Sequence, residues 1–172
     1  MDNLLIIRKL NSVKIAKLKS IGNGMDITLE QAEELSKGMF PLYGFMDLKI
    51  EQMSDGVFRA RVPFIDNNKN HMQTMAAPIQ WAIAEMLGGL VWFVSQVSDK
   101  HVPIMKSMNI NFMKPATSDV IAETTFSAED VQKMKDGLAK DDRYDFELKA
   151  ALKDANGVIV SETVGQYAIR GL

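Results

Sequence analysis

The chain has no cysteine and only two histidines, His71 and His101, in different segments. Without thiols there is no disulfide framework and no thiolate zinc site, and two separated imidazoles make no cage, so no bound metal is expected. An excess of one charge is also missing: 20 Lys and Arg stand against 22 Asp and Glu, for a net charge of −2 with no block of like sign. Such a balance offers no electrostatic footprint for nucleic acid. No internal repeat, low-complexity tract or linker divides the 172 residues, and with 47% hydrophobic residues a single domain with a substantial core is expected. A secretory leader is not recognisable either. Asp2 comes first, and Arg8, Lys9, Lys14, Lys17 and Lys19 follow a short apolar run instead of preceding a longer one. These absences fit a cytoplasmic protein.

What is present begins with that same segment, Met1 to Lys19, whose alternation of Leu, Ile and Val with basic residues suits an amphipathic helix packed on the domain or on a partner subunit. Thr28 and Gln31 form a capping-box pair ahead of Leu29, Ala32 and Leu35, with Gly38 placed as a stop. Residues 1–38 are therefore taken as an N-terminal helical segment and 39–172 as the main domain. Leu48 and Ile50, the pair Asp55-Gly56, and the alternation of Phe58, Ala60, Val62 and Phe64 predict a hairpin. A polar loop from Asp66 to His71 then leads into an apolar helix opened by Pro78 and running to about Val97.

Beyond this helix, Ile104, Met108, Ile110 and Phe112 share one face of a strand that ends at Pro115, and Val120 to Phe126 forms another; the two are expected to pair. Ala128 to Leu138 reads as an amphipathic connector ending near Gly137. Tyr144 to Leu152 alternates, Asn156-Gly157 turns the chain, and the last strand, Val158 to Ile169, is apolar on both faces and so expected in a central position. A helix apolar on nearly every side must be surrounded. Strands with one apolar face surround it by wrapping it, so the expected architecture is α+β, one antiparallel sheet curled around one long central helix. Edge strands need cover, and a homo-oligomer is expected.

Glu85 is the only ionisable residue between His71 and Asp99. It stands in the middle of MAAPIQWAIAEMLGGLVWFV, where an unpaired charge is costly, and a carboxyl kept in such a place is either paired or working. The stretch is long enough to span a membrane, but a mid-helix carboxylate and the alternating strands that follow argue against a stable span.

From about Met39 onward the pattern resembles the hotdog fold, and within it the acyl-CoA thioesterases. That family commonly opens its central helix with His-Gly-Gly, places an Asp or Glu nine residues after the His, and later ends a strand in Phe-x-x-Pro. Here the strand ending is INFMKPA, Ile110 to Ala116, Glu85 takes the acidic place, and Ala76-Ala77-Pro78 replaces the triplet. Ala77 retains the backbone N–H that in the family polarises the thioester carbonyl, and the missing donor of Pro78 does not bear on it. The resemblance implies that Glu85 serves as general base or nucleophile, with Ala77 opposite it at the positive end of the helix dipole; eight residues apart, both would border one groove. Asn70, His71, Gln73 and Thr74, or Ser107 and Asn109 across a subunit boundary, are candidate partners for the acid. Trp81, Met108 and the surrounding pocket would set the length of the acyl group, and Lys114 would meet a CoA phosphate.

The implied substrate is an acyl or aryl thioester of CoA or an acyl carrier, with coenzyme A as part of the substrate and no further cofactor. The assembly would be a dimer or a dimer of dimers. Two alternatives stand beside this reading. The lost triplet suits a non-catalytic hotdog module that binds acyl thioesters. The spacing of His71 to Glu85 is that of the hotdog hydroxyacyl dehydratases, although Met72 and Gln73 replace that family's Phe-Pro, and Pro78-Ile79 its Pro-Gly. Met72, Met75, Met86, Met105, Met108 and Met113 suit either an adaptable acyl pocket or ordinary core filling.

Overall fold

The computed structural model describes residues 27–95 and 101–171, so the expected amphipathic helix of Met1 to Lys19 lies outside the described residues. The first helix, α1 (Leu29–Met39), starts where the capping box places it: Thr28 Oγ1 accepts from the Gln31 N–H at 3.3 Å and Gln31 Oε1 accepts from the Thr28 N–H at 3.0 Å. It passes Gly38 and stops at Phe40, because Pro41 opens a second short helix, α2 (Pro41–Phe45). Helix α1 thus runs across the expected boundary at residue 38, and its Ala32 is fully buried in the common core.

Strands β1 (Lys49–Ser54) and β2 (Val57–Val62) form the expected hairpin. Asp55 and Gly56 both take positive φ, 56° and 71°, the geometry of a two-residue turn whose twist matches the strands. The apolar helix is α3 (Ala77–Ser95), followed by β3 (His101–Phe112), β4 (Val120–Thr125), α4 (Ala128–Asp141), β5 (Arg143–Lys153) and β6 (Ile159–Gly171). All six strands form one antiparallel sheet in the order β1-β2-β4-β5-β6-β3.

Three expectations are corrected. Strand β3 pairs with β6 and not with β4, which lies between β2 and β5. The connection between β3 and β4 is no hairpin turn: the N–H groups of Met113 and Lys114 both donate to Val160 O, and Ala116 O accepts from Met75, so the segment is pinned across the end of the sheet. Helix α4 does not stop at Gly137; its C-cap is Asp142, which adopts the left-handed conformation at φ 52°. Gly137 lies inside the helix against Tyr144, whose ring would sit 2.6 Å from an added Cβ. Finally, a bulge between Met105 and Ser107 changes the facing of β3. Met105 turns toward the core with Met108, while Ile104 is left exposed on the other side.

Strand β6 has the expected interior place, between β5 and β3. Helix α3 touches every strand, which obliges the sheet to curve around it. Ile83, Leu87, Leu90 and Val91 are fully buried against Phe58, Val62, Leu152 and Ile169, and each such side chain contributes about 1.5–3 kcal/mol of burial free energy. Gln80, the buried polar residue of the first turns, is satisfied at both ends of its amide, by Met75 O at 3.2 Å and Ser161 Oγ at 2.8 Å. By length and mean hydropathy, 1.3, α3 would cross a membrane, but over half of that window, 56%, is buried inside the fold and the helix is its core. An antiparallel sheet wrapped around one long helix is the hotdog fold.

Candidate active site

The sheet does not enclose α3 completely. After Ala77 and Pro78 in the first turn, the residues of α3 that are not buried are Trp81, Glu85, Gly89 and then Trp92, Phe93 and Val94. Spacing of four residues puts Ala77, Trp81, Glu85 and Gly89 on one stripe. The helix expected to be surrounded is therefore open along one line, with the carboxyl at its middle.

Glu85 is half-buried, and its one hydrogen-bond donor among the described residues is the phenol of Tyr43, which reaches Oε2 from α2. Burial pushes the carboxyl above the ordinary glutamate range, and the Tyr43 bond opposes that shift by favouring the charged form. The phenol is itself pushed up by burial and by the charge of Glu85, so it stays protonated and donates. Tyr43 is well held. Its N–H donates to Phe40 O and its C=O accepts from Leu48, both at 3.0 Å, and the Phe40 ring meets its ring edge-on at 4.9 Å.

From the other side Tyr167 of β6 donates to the carbonyls of Ala84 and Glu85, each at 3.3 Å, and so fixes the backbone of the turn that carries the acid. Its ring occupies the space that Gly88 leaves: a Cβ there would lie 2.0 Å from Tyr167 Cε1. Burial and the Glu85 charge push this phenol up as well.

At the start of α3 the main chain is aimed by its neighbours. Met75 N–H donates to Ala116 O and Ala76 N–H to Asn68 O, both at 2.8 Å. The Ala116 end of INFMKPA is thereby tied directly to the opening of the helix. The N–H of Ala77 is given to no acceptor among the described residues, and Ala77 is exposed. Among the described residues it is a free donor, at the positive end of the helix. At about 1.5 Å of rise per residue, it stands roughly 12 Å along the axis from Glu85, whose side chain leans back toward it.

The other expected residues are distributed unevenly. Asn70 and Thr74 build a turn ahead of α3: Asn70 Oδ1 accepts from Met72 N at 2.9 Å and Thr74 N at 3.2 Å, and Asn70 Nδ2 donates to Thr74 Oγ1 at 2.9 Å. His71 and Gln73 are exposed on that turn, Gln73 at φ 57°. Trp81 is 38% exposed one turn before the acid. Met108 is half-buried and faces the core, whereas Ser107, Asn109 and Lys114 are exposed. Within the described chain none of the six polar candidates donates to Glu85; Tyr43 does. The sequence carried one signal for it, a tyrosine in the apolar run MFPLYGF, since a buried phenol needs a polar partner. Of the methionines, Met75 and Met86 are core residues, while Met72 and Met113 are exposed.

Solved structures of similar shape come from several bacteria. A Pseudomonas aeruginosa protein of unknown function, described as a "probable thioesterase", is 27% identical over 86% of this chain and 99% of its own, with a TM-score of 0.78. A Chlorobaculum tepidum protein of unknown function is 20% identical over 85% of this chain and 98% of its own, TM-score 0.73. A Haemophilus influenzae thioesterase shares the fold at 14% identity, with coverage of 86% and 94% and a TM-score of 0.66. No curated protein matches the chain. Residues 32–169 match the family described as a domain of unknown function, DUF4442, and the chain belongs to that family.

Proposed function

We propose that the protein is a thioester hydrolase of the acyl-CoA thioesterase type, acting on an acyl or aryl thioester with Glu85 as general base or nucleophile. One observation carries this reading: a half-buried carboxyl, with its proton affinity raised by burial, in the middle of a stripe of the core helix that the described residues leave open. The shared fold with proteins named as thioesterases supports it. As general base, Glu85 takes a proton from water as the oxygen attacks the thioester carbonyl. The oxyanion is held by the Ala77 N–H, and collapse expels the thiolate, which recovers the proton. As nucleophile, Glu85 attacks the carbonyl and expels the thiolate as the C–S bond breaks, forming a mixed anhydride that water then opens to the free acid and the regenerated carboxylate, the released proton going to the thiolate. Trp81 and Met108 would border the acyl group, Asn70, His71, Gln73 and Thr74 would frame the helix entrance, and Lys114 would meet the carrier phosphate.

The roughly 12 Å of helix axis between Ala77 and Glu85 exceeds what one carbonyl group bridges. The proposed site therefore pairs Glu85 of one copy with the Ala77 N–H of a second copy packed along the stripe, in a homodimer or a dimer of dimers, where Ser107 and Asn109 would approach the acid. Turnover on a panel of acyl-CoAs tests the reading. Glu85→Gln should lower kcat by about 10²–10⁴-fold, the usual contribution of a positioned base; undiminished hydrolysis rejects the assignment. The second reading, a non-catalytic module, is favoured by the replacement of the His-Gly-Gly triplet with Ala76-Ala77-Pro78 and by the Tyr43 phenol already bonded to Glu85 Oε2. Tight acyl-CoA binding by the wild type without turnover would establish it.

A further inference from the structure

Glu85 has a carboxylate with two oxygens and one donor among the described residues. The donor is not on a strand of the sheet but on α2, between the N-terminal helix and β1. A group brought in from outside the sheet, yet fixed at its N–H, its C=O and its ring, is arranged for one contact. That contact is with the acid.

We infer that Tyr43 is a positioning residue for Glu85: its phenol O–H, delivered by α2, fixes the direction of the carboxylate and occupies Oε2, leaving Oε1 as the oxygen that works on water or substrate. This inference rests on the function proposed above. Oε1 accepts no hydrogen bond from a described residue. The core that packs on the covered faces of α3 is built of apolar residues from β1, β2, β3, β4 and β5, with one titratable exception among the described residues that senses the acid. The exception is Tyr167 of β6, whose phenol is spent on backbone carbonyls. Tyr43 is therefore the group that opposes the burial of the carboxyl in favour of its charged form, and without its O–H burial acts unopposed.

The α1–α2 segment gives this donor a mount. Glu33 of α1 is bonded to Lys37 at 2.7 Å and to Lys49 at 3.3 Å, and it also accepts from the Ile50 N–H at 3.3 Å. The helices before the sheet are thus tied to β1, and Tyr43 moves with them. A buried side chain locked by its own backbone and by a neighbouring ring is the kind of support that holds a reacting group within about 0.5 Å of its working position.

The test is Tyr43→Phe, which keeps the ring and its contact with Phe40 and removes only the O–H. The acid limb of the kcat/KM profile should move to higher pH, with kcat falling about tenfold or more and KM nearly unchanged, and the Glu85 carboxyl, followed by carbon NMR in the full chain, should titrate at higher pH than in the wild type. In a Glu85→Gln background the same change should have no further effect on residual turnover. An unmoved profile together with an unmoved carboxyl titration overturns the inference while leaving hydrolysis by Glu85 intact. A shifted titration in a wild type that turns over no thioester retains the Tyr43 contact and removes the hydrolase reading, so the two failures are distinct.

Discussion

For the single residue at the centre of the site, what matters is the cost of keeping Glu85 charged. Burial outweighs the Tyr43 bond, and the carboxyl binds its proton more tightly in the folded chain than in the unfolded one. An acid with a raised folded pKa contributes stability that is fully present below its unfolded value, about 4.3, and lost as pH rises through the folded value. Gln at this position does not titrate. Thermal denaturation of Glu85→Gln should therefore show a Tm that gains on the wild type between pH 4 and neutrality; a gap that stays constant over that range contradicts the assignment of a desolvated acid. The residue itself was legible from sequence, because a lone acid among some twenty apolar neighbours stands out without knowledge of the fold. Its partner was not. Tyr43 lies 42 positions away, and only the placement of α2 against α3 brings the two together.

At the scale of the element, α3 is held by close approach as well as by apolar area. Gly88 admits the Tyr167 ring, which also stacks on Phe146 at 5.3 Å, so this one position fixes the distance between helix and sheet behind the acid. Gly88→Ala should cost about 1–3 kcal/mol by overpacking, lowering Tm by roughly 2–4 °C for each kcal/mol in a chain of this size. A variant that melts with the wild type would show that the ring is free to move. The same steric logic explains a misreading. Gly137 resembles a helix stop in sequence, yet its lack of a side chain serves Tyr144, while Asp142 provides the left-handed cap. Elements whose signals are local, such as the Thr28 capping box and the Asp55-Gly56 turn, formed where expected. The facing of Ile104 depended on a bulge that only pairing with β6 creates.

At the scale of the whole molecule, the α+β architecture followed from one apolar helix among one-sided strands, but the sheet order did not, since β3 finds β6 across the length of the later chain. Strand β3 is an edge of 12 residues and α3 is open along Ala77, Trp81 and Glu85, which together suit a second copy. Sedimentation should give a multiple of the 19.2 kDa chain mass. Because Ala77 is the first residue of α3, Ala77→Pro removes its N–H at a position where proline is tolerated. Mixing and reassembling this variant with Glu85→Gln should restore activity in a shared site, and a failure to restore it would place both groups in one protomer. The most direct measurement remains the ratio of kcat/KM between wild type and Glu85→Gln, followed from acidic to neutral pH on one acyl-CoA. It should grow as the carboxyl ionises, toward about 10²-fold or more, whereas a ratio near one at every pH would contradict the claim that Glu85 is the working group.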